Sequence, residues 1–432
     1  MQYYSLNKNA ASVNFKEATI LGQAPDKGLY FPERIPILAE SFIQQIESYS
    51  KEELAFRIML PYVGNTIAEA ELYRIVSETV NFDFPLISIN ESIASLELFH
   101  GPTLAFKDVG ARFMSRCLGY FSKGQSNKIT VLVATSGDTG GAVANGFLGV
   151  EGVDVVILYP SGKVSPVQEL QLTTCGQNIT ALEVAGSFDD CQAMVKAAFM
   201  DADLKSHMQL TSANSINVAR WLPQQLYYFY AYQQWKDKGQ PPIVSVPSGN
   251  FGNICAGLLA HLSGLPIAHF IAACNVNDAV PNYLRTGQYQ PQTAVATISN
   301  AMDVGSPSNF IRILEMFNEN YASIRSHISG YTVSDSATIQ TIAAVYAVDQ
   351  YILDPHGAVA YNALDQYLQL HPNQKGMILE TAHPVKFPET VEQAIGTTIS
   401  TPESAKALFG KTKHSILMDA HFNSLKSYLL SK

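Results

Sequence analysis

Short runs rich in β-branched residues alternate with helical stretches along most of this chain. Such runs occupy residues 129–134, 153–159, 179–184, 243–246, 268–273 and 377–379. Apolar runs of this length, bounded by turn residues and separated by helical patterns, are typical of strands buried on both faces of a sheet. The alternation therefore predicts an α/β fold with parallel-rich sheets covered by helices.

The chain is too long for a single core. Its 432 residues predict two or three packed units. Helical patterns dominate the first ninety or so positions. An aromatic helix predicted over 226–240 is followed by Pro241 and Pro242, which indicates a boundary between two α/β units. We therefore predict an N-terminal mainly helical subdomain over 1–92, a first α/β domain over 93–240 and a second over 241–432.

Composition excludes several classes of function. With 47% hydrophobic and 15% charged residues, the chain is an ordered globular protein. A net charge of −9 without a long basic run argues against a nucleic-acid partner. No apolar run approaches the roughly 20 residues of a membrane span, and the first residues lack a secretory signal, so we expect a cytoplasmic protein with a small-molecule partner.

Cysteine and histidine spacing gives no metal signature. The five cysteines are scattered, with no C-x-x-C pair, and are expected to be reduced packing residues. Histidines such as His356 and His383 show no H-E-x-x-H or comparable helical spacing. We therefore expect no metal site.

Two strand-to-helix turns resemble each other. The first reads TSGDTGGA from Thr135, and the second reads PSGNFGN from Pro247. Glycines allow a tight turn that aims several N–H groups at one anion, and the following helix adds its positive end. Either turn alone could be an ordinary βα loop. Two of them, at the carboxyl ends of strands where α/β proteins bind ligands, indicate sites for phosphate or carboxylate groups.

Known phosphate and hydrolase motifs do not fit. The first turn has the wrong glycine spacing for G-x-G-x-x-G, and Ala405 stands where a P-loop ending in Gly410-Lys411-Thr412 needs its leading glycine. No G-x-S-x-G elbow is present, which weakens a serine hydrolase interpretation.

Lys107 lies in apolar surroundings, in the stretch FHGPTLAFKDVGARFM. Desolvation disfavours an ammonium ion, and the neutral amine can attack a carbonyl to form a Schiff base. A lysine that extends its amine to water from a half-buried helix start would give the same local pattern. Together with a separate anion-binding turn, however, the lysine suggests an aldehyde cofactor that carries a phosphate, namely pyridoxal phosphate.

Six separated motifs, HGPTLAFKD, TSGDTGGA, NSINVARW, PSGNFGN, AMDVGSPSN and TAHPVKFPE, occur in this order. Their set closely resembles the threonine synthase family, specifically its longer bacterial and fungal type within the fold type II pyridoxal-phosphate enzymes. The resemblance implies a tryptophan synthase β-like fold of two α/β domains plus the N-terminal subdomain.

The resemblance also implies residues for pyridoxal 5′-phosphate. Lys107 matches the lysine that forms the Schiff base, and Thr381 matches the hydroxyl residue at the pyridine nitrogen. Asp138 stands where related dehydratases carry asparagine near the cofactor's 3′-oxygen, a difference that the longer type shares. The loop that holds the cofactor phosphate matches Gly249, Asn250, Phe251, Gly252 and Asn253.

The implied reaction converts O-phospho-L-homoserine and water to threonine and phosphate by γ-elimination and β-hydration, with Lys107 carrying several protons. The substrate requires two further anion sites. For its carboxylate we expect Ser136, Gly137 and Thr139 in the first turn. For its phosphate we expect Arg220 and, more weakly, Arg112 and Lys386, while Asn217 could support either anion, and His356 and His383 could make polar contacts. Each of these could instead be structural.

Two other functions stay open at this point. The first is a pyridoxal-phosphate enzyme that catalyses β-elimination from serine, threonine or their phosphates. The second is a non-catalytic binding protein that senses a phosphorylated metabolite, although binding alone needs no Schiff-base lysine. The sequence does not fix the oligomeric state, and we expect a monomer or a weak homo-oligomer.

Overall fold

The strands of the chain are short and mostly buried. The computed structural model describes residues 1–125 and 127–432. Within these residues the strands are β1 Gln2–Ser5, β2 Val13–Asn14, β3 Tyr30–Pro32, β4 Leu86–Ser88, β5 Ile93–Glu97, β6 Ile129–Ala134, β7 Val153–Pro160, β8 Ile179–Ala185, β9 Gln209–Thr211, β10 Ile243–Pro247, β11 His269–Cys274, β12 Ile328–Thr332, β13 Gly376–Glu380 and β14 Ile416–Asp419. All six predicted runs are strands, with ends within one residue of the prediction.

Helices separate almost all of these strands. They are α1 Phe15–Leu21, α2 Glu40–Gln44, α3 Lys51–Val63, α4 Glu69–Thr79, α5 Lys107–Ser122, α6 Asp138–Phe147, α7 Pro166–Thr173, α8 Phe188–Met200, α9 Ala202–His207, α10 Val218–Trp221, α11 Leu226–Gln234, α12 Gly252–Leu262, α13 Ala279–Thr286, α14 Phe310–Met316, α15 Tyr321–His327, α16 Asp335–Asp349, α17 Pro355–Leu370, α18 Pro388–Ile395, α19 Glu403–Phe409 and α20 Phe422–Leu430. Short 3-10 turns cover Ile46–Ser48, Gly64–Thr66, Leu222–Gln225, Asn300–Met302 and Pro384–Lys386.

Local sequence signals set the start of several helices. Ser165 begins α7 with a capping box, in which its side chain and that of Gln168 satisfy each other's backbone N–H groups. Asp354 begins α17 by accepting the N–H of Gly357 at 2.6 Å, and in both helices a proline occupies the first position. Both helices later contribute contacts to the candidate site.

The strands form three sheets. A small antiparallel sheet has the order β2-β1-β3 and lies in the N-terminal segment, which also contains α1 to α4. A five-stranded sheet, β14-β8-β7-β6-β9, is parallel throughout. A six-stranded sheet, β12-β11-β10-β13-β5-β4, is parallel except for β4 at its edge. The predicted parallel-rich α/β fold is confirmed.

The sheets correct the predicted domain boundaries in two places. Strand β5 pairs with β13, with Glu97 opposite Glu380, so residues 93–97 belong to the second α/β unit and not to the first. Strand β14 pairs with β8, so the end of the chain returns to the first unit. A strand joins a sheet edge through that edge's unpaired N–H and C=O groups, and a linear division of the chain cannot show which edge it joins.

Buried apolar residues fill both sides of the two large sheets. Val131, Leu132 and Val133 of β6 are fully buried, as are Val155, Val156 and Ile157 of β7. Each such side chain stabilises the fold by roughly 1.5–3 kcal/mol on burial. No helix in the described part of the chain is both long and apolar enough to cross a membrane. The packed strands hold the two glycine turns, which follow β6 and β10, in fixed positions.

Candidate active site

Lys107 is the first residue of α5. The loop before it is held against the end of β13 by backbone hydrogen bonds: the N–H of Phe106 donates to Thr381 O at 2.9 Å, and the N–H of His383 donates to Leu104 O at 3.0 Å. These bonds bring the loop that carries Lys107 next to Thr381. The two residues come from opposite ends of the chain's α/β part, so the site is a product of the tertiary fold.

Two non-glycine residues with left-handed backbone lie at this site. Leu104 has φ +58° in the loop before Lys107, and Phe251 has φ +59° immediately before α12. A side chain in this region costs about 1–2 kcal/mol per residue, and such strain persists only where the surrounding structure holds it. Both strained residues shape the segments that carry the predicted cofactor contacts.

The amine of Lys107 is set among other charges. Its side chain is only 18% exposed, and Nζ lies 3.7 Å from Asp138 Oδ2 and 5.0 Å from the centre of the Phe106 ring. Burial lowers the pKa of Lys107; Asp138 opposes the shift, and the positive charges of Lys386 and Arg220 add to it. Burial therefore makes the Lys107 amine easier to deprotonate than a lysine in water, in the direction that the apolar sequence context predicted.

The first glycine turn is tied together by Thr135. Its Oγ1 accepts the N–H of Gly137 at 3.0 Å and of Gly140 at 2.9 Å. Gly137 has φ +142°, and a Cβ there would lie 2.4 Å from Gln168 Cδ, so only glycine fits. Ser136 and Thr139 are half-buried at the positive end of α6. Their hydroxyl groups and that helix end suit a carboxylate.

Asp138 and Lys386 form a buried ion pair at this turn. Lys386 Nζ lies 2.6 Å from Asp138 Oδ1 and donates to Thr103 O at 2.9 Å, and Gln168 Nε2 donates to the same carboxylate at 2.8 Å. Burial opposes the ionised form, but Lys386 and Lys107 outweigh it and hold the pKa of Asp138 below its ordinary value. Because Lys386 is fully buried and occupied by Asp138, the expectation that it binds substrate phosphate does not fit the structure.

The second turn presents unused backbone donors. The N–H groups of residues 249–253 donate to no protein acceptor within the described chain. The backbone of Ala301 and Met302 packs so closely against Gly249 that no side chain fits there. A Cβ on Gly249 would lie 2.7 Å from Met302 Cα and 2.8 Å from Ala301 O. Asn250 fixes the turn from both sides, with Nδ2 donating to Ser215 Oγ at 2.8 Å and Oδ1 accepting the N–H of Ser308 at 2.6 Å.

Asn253 adds an unsatisfied donor to this turn. Its Oδ1 accepts from Tyr228 at 2.9 Å, while its Nδ2 is buried and has no partner among the described residues. An unpaired buried amide costs about 1–3 kcal/mol. A bound anion at the start of α12 would remove this cost and use the free N–H groups.

Arg220 is a buried cation without a counter-ion. Only 4% of the residue is exposed, and its Nε and Nη1 have no hydrogen-bond partner in residues 1–125 and 127–432. Burial lowers its pKa to about 10, against smaller opposing effects of Tyr227 and Asp108, so it remains charged at neutral pH. An unpaired buried guanidinium is suited to bind an anionic ligand.

Two other predicted residues, Asn217 and Arg112, are occupied elsewhere. Asn217 is fully buried; its Nδ2 donates to Thr19 O at 2.9 Å and Ser212 O at 3.1 Å, and its Oδ1 caps α10. Arg112 donates to the backbone oxygen of Glu78 at 2.6 Å. We therefore do not carry Asn217 or Arg112 into the substrate site. Burial lowers the pKa of His383 to about 4, so it stays neutral beside the Lys107 loop.

Comparisons with known proteins decide the family. The family model "Threonine synthase N terminus" matches residues 2–80, "Pyridoxal-phosphate dependent enzyme" matches residues 89–379, and "Threonine synthase, C-terminal" matches residues 357–429. The chain belongs to the threonine synthase family.

Individual relatives in the threonine synthase family match over whole chains. The threonine synthase of Haemophilus influenzae is 44% identical, with both chains covered completely. The crystal structure of threonine synthase from Escherichia coli superposes with a TM-score of 0.93 at 41% identity over all of both chains. A pyridoxal-phosphate-bound threonine synthase from Brucella melitensis superposes with a TM-score of 0.92 at 34% identity, covering 99% of this chain and 98% of that one.

The residues of this chain fit the cofactor of the threonine synthase family, pyridoxal phosphate. The free N–H groups of residues 249–253 and the unpaired Nδ2 of Asn253 provide donors for a phosphate. Lys107 supplies an amine whose pKa is lowered by burial. Thr381, which is 6% exposed, is joined to the Lys107 loop through its backbone. Among the described residues, no group of three or more histidine, cysteine or acidic side chains could hold a metal ion.

The sequence missed a buried acidic pair next to Thr381. Glu380 Oε1 accepts the N–H of Asp354 at 2.7 Å, and Asp354 Oδ2 lies 2.6 Å from His356 Nδ1. The backbone N–H of Ala301 donates to His356 Nε2 at 3.2 Å, which leaves the ring proton on Nδ1. Burial and the charge of Asp354 raise the pKa of Glu380 well above its ordinary value. The Asp-Pro-His order at residues 354–356 carries no signal for this network in the sequence.

Proposed function

We propose that this chain catalyses the conversion of O-phospho-L-homoserine and water to L-threonine and inorganic phosphate, as a pyridoxal-phosphate-dependent carbon–oxygen lyase. Membership of the threonine synthase family over the whole chain supports the reaction. The observation that carries the residue assignment is the buried Lys107 amine 3.7 Å from Asp138 in the first of two glycine turns that can each accept an anion.

Four groups of the chain would hold the cofactor. Lys107 would bind its aldehyde covalently, residues 249–253 its phosphate, and the Thr381 hydroxyl its pyridine nitrogen. The ion pair of Asp138 and Lys386 would lie beside the 3′-oxygen. When bound, pyridoxal phosphate supplies an electron sink for the charge left when a proton leaves the substrate. Because Thr381 is a neutral hydroxyl, it would limit protonation of that nitrogen and discourage transamination.

Lys107 would be the main proton carrier of the reaction. With its amine free, Lys107 would remove the proton from Cα and then one from Cβ. Phosphate would leave from Cγ, a proton would return to Cγ, and water would add its hydroxyl group at Cβ while a proton returns to Cα. A lowered pKa suits this role, because a group that gives and takes protons near neutral pH works best with a pKa close to that pH.

The substrate's two anionic ends would use different regions. Ser136, Gly137 and Thr139 would bind the carboxylate through hydroxyl and backbone donors at the start of α6. Arg220 would bind the phosphate, because its buried guanidinium has donors without partners in the described chain. Substitution of Arg220 with alanine should raise KM for O-phosphohomoserine strongly. An unchanged KM would refute this assignment.

The proposal extends to the state of the enzyme. All the residues assigned here come from one chain, which supports a monomer or weak homo-oligomer, and the net charge of −9 supports an enzyme that binds no nucleic acid. A cytoplasmic location is part of the same proposal. Specific activity should stay constant on dilution across any dimer–monomer transition seen by sedimentation. A loss of activity that follows dissociation would contradict a self-sufficient chain.

The decisive experiment compares substrates. Purified protein with pyridoxal phosphate should release phosphate from O-phosphohomoserine much faster than it releases keto acid from serine, threonine or their phosphates. A faster keto-acid release would instead establish the β-elimination enzyme. Borohydride reduction should attach the cofactor to a peptide that contains Lys107, as mass spectrometry can show.

Substitution of Lys107 separates an enzyme from a binding protein. Lys107→Ala should lower phosphate release by at least about a thousandfold, since it removes both the covalent attachment and the base. Metabolite binding by a non-catalytic sensor would survive this change. Binding of O-phosphohomoserine to the wild-type protein without any turnover would favour the sensor.

A further inference from the structure

Ser215 lies beside the phosphate turn but comes from a different part of the chain. It belongs to the segment between β9 and α10, within the NSINVARW motif. Its Oγ accepts the Nδ2 group of Asn250 at 2.8 Å and the Nδ2 group of Asn309 at 3.0 Å. Arg312 Nη1 donates to the backbone oxygen of Ser215 at 3.0 Å, which fixes the backbone as well.

These contacts determine what the Ser215 hydroxyl can still do. A hydroxyl has two acceptor lone pairs and one hydrogen to donate. The two amide groups occupy both lone pairs, and the hydrogen has no acceptor within residues 1–125 and 127–432. The hydroxyl therefore has one unused donor, held in direction by two asparagine side chains.

The position of Ser215 places this donor at the start of α12. A Cβ built on Gly252 would lie 3.2 Å from Ser215 Cβ and 3.6 Å from Ser215 Oγ. Gly252 is the first residue of α12, and its N–H is one of the free donors of the turn. The unused hydroxyl hydrogen and the unused N–H groups thus share one small region.

We propose that Ser215 donates its hydroxyl hydrogen to the phosphate of pyridoxal phosphate, as a donor from outside the GNFGN turn. Asn250 and Asn309 are then positioning residues, because they hold Oγ as an acceptor and leave only its hydrogen for the ligand. The inference rests on the proposed function, which assigns the phosphate to residues 249–253. It adds a second, sequence-distant segment to that phosphate site.

The test compares two ligands on apoprotein. Wild type and Ser215→Ala are titrated with pyridoxal phosphate and with pyridoxal, which lacks the phosphate, and binding is followed by tryptophan fluorescence. Affinity for pyridoxal phosphate should fall by about 10- to 100-fold in the variant, as expected for loss of a hydrogen bond to a charged group. Affinity for pyridoxal should change by less than about twofold. Its retention also shows that the variant is folded.

Ser212→Ala is the matched control. Ser212 lies three positions earlier in the same segment, and its hydroxyl accepts only the N–H of Asn214 at 3.3 Å. This variant should bind both ligands like the wild type. In phosphorus NMR of the reconstituted proteins, the cofactor resonance should move in Ser215→Ala and stay in place in Ser212→Ala.

Two outcomes would overturn the inference alone. If Ser215→Ala weakens the binding of both ligands equally, Ser215 only supports the turn. If it weakens the binding of neither ligand, the hydroxyl makes no contact with the phosphate. A wild-type protein that binds pyridoxal phosphate no more tightly than pyridoxal would instead refute the phosphate site of the proposed function, and the inference with it.

Discussion

The two glycine turns share a sequence pattern but differ in charge and in unused donors. Aligned by position, Ser136-Gly137-Asp138 corresponds to Ser248-Gly249-Asn250. In the first turn the helix begins at the aspartate, and Thr135 occupies two backbone donors. In the second the helix begins two residues after the asparagine, and the backbone donors stay free within the described chain.

Asp138 accounts for most of the difference. The Asp138 carboxylate at the start of α6 lies close to Lys386 and Lys107. Asn250 is neutral, and no such ion pair forms at its position in the described chain. The first turn therefore carries its own buried charges beside the hydroxyl groups of Ser136 and Thr139, whereas the second turn offers mainly free backbone N–H groups.

The largest expected effect is on stability, when Asp138 of the first turn is replaced by asparagine, the residue at the matching position of the second turn. Asp138→Asn leaves Lys386 as an unpaired buried cation, so the free energy of unfolding should fall by about 3–5 kcal/mol. Lys386→Met should cost a similar amount. The double variant should lose clearly less than the sum of the two, as measured by urea unfolding. Additive losses would show that the pair is not coupled.

The same pair predicts a pH dependence. Because the folded pKa of Asp138 is depressed, its stabilisation is fully present above about pH 4, the ordinary aspartate pKa, and is lost as pH falls through the folded pKa. Asp138→Asn should therefore lose less stability than wild type on acidification below about pH 4. If Asp138→Asn lost as much stability as wild type below about pH 4, Asp138 would not be ionised in the folded protein.

Glu380, in the second α/β unit, has a raised pKa where Asp138 has a lowered one, and its substitution should have the next largest effect on stability. Its raised pKa means that the folded protein keeps a proton that the unfolded chain releases near pH 4, so stability falls as pH rises toward the folded pKa. Glu380→Gln keeps the acceptor for the N–H of Asp354 and cannot ionise. Its stability relative to wild type should rise as the pH increases above about 5, by about 1 kcal/mol per pH unit, until the pH reaches the folded pKa of Glu380.

Denaturant unfolding at several pH values measures this difference. Glu389→Gln, a change on α18 at an exposed glutamate, is the control and should show no such trend. A constant difference between Glu380→Gln and wild type would mean that Glu380 is ionised when folded.

A smaller effect, on cofactor affinity, tests the close packing of backbone against Gly249 in the second turn. Gly249→Ala would press a methyl group against the backbone of Ala301 and Met302, so the turn must shift and cofactor affinity should fall by about 10- to 100-fold. Gly141→Ala in the first turn meets only the side chain of Gln171, with Oε1 nearest at 3.0 Å. Its cofactor affinity should stay within about twofold. Equal losses in both variants would show that crowding alone does not explain the effect.

The smallest effect is expected at Asn217. Asn217→Ser keeps a cap for α10 but loses the bonds to Thr19 and Ser212, so stability should fall by about 1 kcal/mol. KM for O-phosphohomoserine should not change. A large rise in KM would return Asn217 to the substrate site.

The sequence predicted those features that depend on local patterns or on the quoted motifs. The six strand runs and the start of a helix near Lys107 agree with the structure. The ion pair of Lys386 with Asp138 was not predictable, because a lysine in a motif does not show which anion it contacts. The contacts of Glu380 with Asp354 and of Ser215 with Asn250 depend on packing between distant segments.

Strand β14 gives the chain a late folding step. It completes the edge of the first sheet by pairing with β8, although roughly 230 residues separate the two strands. α20 adds Leu425 and Leu429 to the core beneath that sheet. At about 5–20 residues per second, ribosomal synthesis leaves the apolar edge of β8 uncovered for roughly 10–50 seconds. Over that interval the nascent chain carries an unpaired sheet edge that can associate with other chains, so chaperone binding during synthesis should concentrate there.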